Sequence, residues 1–176
     1  MPSIKFNGGL YQTFGDLPAV GGRAPDVSLV NTRLQDVSLA NWMGMRKVMN
    51  IVPSIDTSSG AKSVIKFDRL AKDQDDTAML MISYDLPFAH ERFRSAHELQ
   101  HVIGLSAIRH AGFGENYGVQ IVEGPLAGMF SPAVVVMDEN NTVVHSERID
   151  DVDNEPNYVA ALTALGIEVN HDVLED

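Results

Sequence analysis

Cysteine is absent from all 176 residues, which excludes disulfides, thiolate catalysis, thiolate metal sites and iron–sulfur clusters. Positive charge is also scarce. Thirteen Lys and Arg face 24 Asp and Glu, giving a formal net charge of −11 and a pI near 4.8. Without a basic stripe, the chain has no electrostatic footing for nucleic acid or an anionic membrane surface. No apolar run reaches the length of a bilayer-spanning helix, and no charged-then-apolar leader opens the chain. A cytoplasmic protein is therefore expected. No cofactor is implied. The 44% hydrophobic content and the length suit one domain, residues 1–176, with a real core.

Short apolar alternation on either side of Asn7-Gly8-Gly9 predicts a leading β-hairpin. Two modest strands follow Pro25, over Val27 to Val30 and up to Ser38-Leu39. Stronger signals come next: Lys47 to Val52 and Ala78 to Tyr84 are nearly continuous apolar runs one helix-length apart. Such a βαβ spacing predicts parallel pairing. The crossover helix is predicted from about Gly60 to Lys72, with Val64, Phe67, Leu70 and Ala71 inward and Lys62, Lys66 and Arg69 in water. Thr57, Ser58 or Ser59 can cap it. Later segments read as a helix over His90 to Glu98, strands over Val102 to Ile108, Ala133 to Met137 and Thr142 to Ile149, and a last helix between Pro156 and Gly166. Mixed strands with helices on two sides define an α/β protein. Trp42 and the eight methionines read as core.

From the hairpin to about Gly166 these residues resemble the bacterial thiol peroxidase subfamily of peroxiredoxins. The resemblance rests on Gly22-Arg23-Ala24-Pro25-Asp26, Asn50 to Thr57, Leu86-Pro87-Phe88-Ala89, Leu105 to Arg109, Tyr117-Gly118-Val119, Gly124-Pro125-Leu126 and Ala133 to Asp138. It implies a thioredoxin-like fold of peroxiredoxin type: a central mixed sheet flanked by helices, an N-terminal β-hairpin, and usually a homodimer. In that family a proline, a threonine, a peroxide-attacking cysteine and an arginine form one site. Pro53, Thr57 and Arg109 match three of the four, and Gly60 stands at the attacking cysteine. Arg94 stands at the resolving cysteine. Ser58, Ser59 and Lys62 also differ from the family, which points to a natural change of use rather than a single inactivating substitution. Where the family commonly has arginine, Ser131-Pro132 is similar to the cis-proline loop of thioredoxin, so a cis bond facing the same pocket is expected.

The resulting expectation is a cysteine-free pseudoenzyme that binds a small anionic or polar ligand, or a partner, at a relict site of Pro53, Thr57, Ser58, Ser59, Gly60, Arg109 and Pro132. A hydroxyl, a helix N-terminus and a guanidinium form an anion-binding arrangement. Alternatively Thr57 merely caps the helix and Arg109 pairs with a carboxylate. A repurposed enzyme using the Thr57 and Arg109 pocket is the second functional reading. The third is a metal-dependent hydrolase, because His97-Glu98-Leu99-Gln100-His101 matches HExxH. The helix holding Arg94 should end near Leu99, which separates His97 from His101. Lys62 as a Schiff-base amine is set against simple exposure on a polar helix face.

Overall fold

A computed structural model describes residues 1–175. Strands β1 (Ser3–Phe6) and β2 (Gly9–Phe14) form the expected hairpin, with Asn7 at φ 47° and Gly8 at φ 79°. Positive φ at both turn residues matches the twist of the flanking strands. Strands β3 (Leu29–Asn31) and β4 (Asp36–Val37) are shorter than expected. The buried strands follow as β5 (Arg46–Ile51), β6 (Thr77–Ser83) and β7 (Val102–Ser106). Two-residue β8 (Gln120–Ile121), β9 (Ala133–Met137) and β10 (Val143–Arg148) complete the set.

The main sheet has the order β10-β9-β5-β6-β7-β3-β4, and a small second sheet the order β1-β2-β8. β5, β6 and β7 are parallel; β9 runs antiparallel to β5, so the sheet is mixed as predicted. The crossover helix α1 spans Ser58–Ala71, and α2 spans Pro87–Ala96. Short α3 (Gly112–Asn116) was not anticipated, while α4 (Tyr158–Thr163) ends before Gly166, at φ 72°.

The sheet divides two apolar layers. On one side Val48, Met79, Met81, Val134 and Val136 pack against α1, α2 and α4 through Val64, Phe67, Phe93 and Leu162. On the other, Met49, Leu80, Leu105 and Val135 meet Phe113, Tyr117 and Phe130. Val64, Phe67, Leu70 and Ala71 are buried as expected, and Lys62 and Arg69 are exposed. Lys66 corrects the helix-face reading: it is only 7% exposed, and its Nζ lies 3.0 Å from Glu155 Oε1. Tyr158 donates to the same carboxylate at 2.7 Å, tying α1 to the start of α4. Among the described residues, no helix is long and apolar enough to cross a membrane.

Candidate functional site

β5 ends at Ile51, and from Pro53 the chain turns into a loop that leads directly into α1. A carboxylate on the neighbouring strand's exit holds this loop. Asp85 accepts from the Ser54 hydroxyl at 2.8 Å and from the Ile55 N–H at 2.9 Å. Thr57 is the N-cap of α1, accepting from the Gly60 N–H at 3.1 Å and donating its own proton to the Ser54 carbonyl at 2.8 Å. The Ser59 hydroxyl is turned away, donating to Val152 O at 2.6 Å. Behind the first turn, Asn50 on β5 donates to Ser63 Oγ at 2.8 Å, and Ser63 donates to the Gly60 carbonyl at 2.9 Å. Helix and strand are thereby pinned around residue 60.

Gly60 is fixed by this arrangement. A Cβ there would overlap the Ser54 carbonyl oxygen and stand 2.5 Å from Thr57 Oγ1. The loop occupies the volume a side chain would need. A cavity beside it measures about 10 Å³ and is lined by Asn50, Pro53, Ser59, Gly60, Ser63 and Pro132 among others. That is room for about one water. Among the expected site residues, the structure thus gathers Pro53, Ser59, Gly60 and Pro132 around one small void, with Thr57 as the cap beside it and Ser58 exposed at the helix start. The Ser131–Pro132 bond is trans, correcting the expectation of cis. Proline is accommodated because it directly precedes β9, where no ladder donor is required of it.

Arg109 is engaged elsewhere. Its guanidinium contacts Asp36 on β4 at 3.3 Å, and His110 Nε2 lies 2.8 Å from the same carboxylate. Four inter-strand steps separate β4 from β5, on the order of 19 Å at the usual spacing. The hydrogen bond from His110, followed by the Arg109 charge, holds the Asp36 carboxyl below its ordinary value. A cation that does reach this loop is Arg92 of α2, 3.6 Å from Asp56, with both side chains about two-thirds exposed. Nothing in the spacing of Arg92 connects it to a loop 36 residues earlier in the sequence.

The HExxH segment is not a helical metal motif. α2 stops at Ala96, and Glu98 has φ 53°, so His97 and His101 do not lie one helical turn apart on a common face. His97 stacks on Phe93 instead. The segment is organised by Asp68 of α1, whose carboxylate accepts from the N–H groups of Gln100, His101 and Val102 at 3.1, 2.7 and 3.0 Å.

Comparison with known proteins agrees with this architecture. The Redoxin family model matches residues 19–162. The chain is 42% identical to the thiol peroxidase of Corynebacterium glutamicum over 165 residues, covering 94% of this chain and 99% of that protein. Among solved structures, thiol peroxidase from Chromobacterium violaceum superposes with a TM-score of 0.87 at 26% identity, covering 94% of this chain and 95% of that one. A peroxiredoxin-like protein from Aquifex aeolicus also gives 0.87, at 28% identity over 94% and 97% of the two chains. This chain belongs to the redoxin family, within its peroxiredoxins of the thiol peroxidase type, and it carries no cysteine.

Proposed function

We propose that this chain is a non-catalytic homologue of the thiol peroxidases, a cytoplasmic homodimer whose relict loop and neighbouring surface bind rather than react. One observation carries the reading: the Ser54 carbonyl and Thr57 hydroxyl fill the space that a side chain at residue 60 would enter. The site has lost its nucleophile and has also closed over the vacancy. A 10 Å³ cavity does not seat a small molecule, so an occupant meets the outside of the loop. The polar groups offered there are the Ser58 and Ser59 N–H groups of the first helical turn and the Arg92 guanidinium, which suit a small anionic group or an acidic side chain of a partner.

Apolar surface beside the loop supports the dimer. Leu86, Phe88 and Ile108 are 51, 67 and 52% exposed, the first two at the start of α2, which follows β6, and the third just past β7. Large apolar side chains gathered at one rim of a sheet mark a docking face. The catalytic part is tested by peroxide consumption with thioredoxin as reductant: turnover should equal that of buffer, and steady turnover would refute it. The dimer is tested by sedimentation of the wild-type chain and of Phe88→Asp. A wild-type dimer that becomes a monomer is expected, and an unchanged sedimentation coefficient removes this face as the interface.

A further inference from the structure

We infer that α2 is an acid-releasable element, seated on the sheet by the neutral form of a buried histidine, His90. The helix is ten residues long, yet only Pro87, His90 and Phe93 are buried. Its hold on the sheet is therefore narrow, and one of three footings is titratable. His90 is 5% exposed and lies against β7, where a Cβ on Gly104 would come within 2.9 Å of the imidazole Nδ1. Glycine at 104 makes the ring's place.

Hydrogen bonding assigns the tautomer. The Ser83 hydroxyl gives its single proton to Asp85 Oδ2 at 2.5 Å and also accepts from the Asp85 N–H at 3.1 Å. Toward His90 Nε2, at 3.1 Å, Ser83 Oγ is thus the acceptor, so Nε2 carries the hydrogen. Nδ1 holds the lone pair and packs on Gly104, and no acceptor among the described residues hydrogen-bonds it. Protonation would place a second N–H there. The adjoining cavity, about 10 Å³, holds about one water, far less than the hydration an imidazolium has in bulk solvent.

The surroundings of the ring are nearly free of other charge. β6 offers Ser83, β7 offers Gly104, and α1 and the relict loop offer Val64 and Ile55. Among the described residues, Asp85 is the carboxylate whose charge acts on the ring, and Arg94 of its own helix, partnered by Glu91, lines the same cavity. Desolvation, opposed by Asp85, lowers His90 from its ordinary value of 6.5. The sign follows from linkage. A histidine released from the sheet binds protons more readily than the docked one, so docking is unaffected above pH 6.5 and weakens as pH falls below it. Between pH 7.5 and pH 5 one such group shifts the docking equilibrium toward release by up to about 30-fold.

Amide hydrogen exchange on the intact chain tests this, after correction for intrinsic chemical exchange. Protection of α2 should fall about 10- to 30-fold from pH 7.5 to pH 5 while α1 keeps its protection. In His90→Gln, which retains a donor to Ser83 without titrating in this range, the fall should disappear. In Asp85→Asn, which removes the neighbouring carboxylate, it should persist. The inference is overturned if wild-type α2 is insensitive to pH, if His90→Gln shows the same loss, or if the loss vanishes only in Asp85→Asn. Should His90→Gln not fold, the His90 ring shifts in wild-type NMR decide: they must titrate together with the α2 amides, and a ring that titrates without them refutes the coupling.

Discussion

Replacing Gly60 with alanine adds one methyl group and sets two effects of opposite sign against each other. Alanine inside a helix is favoured over glycine by about 1 kcal/mol, so on propensity alone Gly60→Ala stabilises. The added Cβ, however, overlaps the Ser54 backbone oxygen and stands 2.5 Å from Thr57 Oγ1. A backbone carbonyl does not swing aside as a flexible side chain does. The loop must shift, which typically costs about 1–3 kcal/mol for overpacking and about 1 kcal/mol more if the Thr57 to Ser54 hydrogen bond is lost. The net expectation is a loss of roughly 1–2 kcal/mol, or about 2–8 °C in Tm for a chain of this size. Thermal and urea unfolding of wild-type and Gly60→Ala measure it. A variant as stable as wild type, or more so, would refute the claim that the loop occupies the side-chain volume. Gly60→Cys carries the same steric penalty and adds a thiol. Peroxide can oxidise that thiol to a sulfenic acid, but the chain holds no second cysteine to resolve it. Consumption should stop near one equivalent of peroxide per chain, and sustained thioredoxin-dependent cycling would contradict the reasoning.

Asp68→Ala removes the acceptor of three successive N–H groups, one of them on buried Val102; a loss of roughly 3 kcal/mol is expected in chemical denaturation, with Asp68→Asn losing less because one oxygen remains. A loss below about 1 kcal/mol for the alanine variant would mean water replaces the carboxylate. Tyr117 donates to Pro25 O at 2.7 Å, and burial, aided by Asp26, pushes its phenol well above the ordinary 10.0. Because the unfolded chain releases that proton first, folding stability should fall as pH rises above 10, by up to about 1.4 kcal/mol per pH unit. Tyr117→Phe should show a flatter decline between pH 9 and pH 11, with about 1 kcal/mol lost at neutral pH for the missing hydrogen bond; an unchanged alkaline slope would assign the effect elsewhere.

Local patterns in the sequence carried a good part of this structure. Asn7-Gly8 specifies the first turn, the runs ending at Pro53 and Tyr84 mark two parallel strands, and of the three candidate caps Thr57, Ser58 and Ser59 the structure takes Thr57. What escaped depends on partners far away in the chain. Lys66 sits at a helical position that reads as solvent-facing, but Glu155 and Tyr158 come to meet it from near α4. Asp68 gives no hint that it gathers the amides of residues 100–102. Pairing of Arg109 with a carboxylate, the alternative the sequence allows, is what the structure shows, but local pattern does not say that the carboxylate is Asp36 on β4. Pro132 lines the same small void as Gly60, yet its peptide bond takes the ordinary trans isomer. Charge pairing across long sequence separations is the common element in the larger misses.

Strand β5 joins two polar locks that lie at opposite ends of the sheet. At its beginning Lys47, fully buried, donates to Met45 O at 2.8 Å and to Asn141 Oδ1 at 2.7 Å, which anchors the β9–β10 turn. Past its other end stands the closed loop around Gly60. The intervening strand is roughly 17–20 Å long, well beyond the range at which mutational effects usually couple. Substitutions at the Lys47 end and at the Gly60 end should therefore combine additively. In evolutionary terms, a lineage of such proteins is free to remodel the loop end while the far turn keeps its original wiring, and selection on either end leaves the other unburdened.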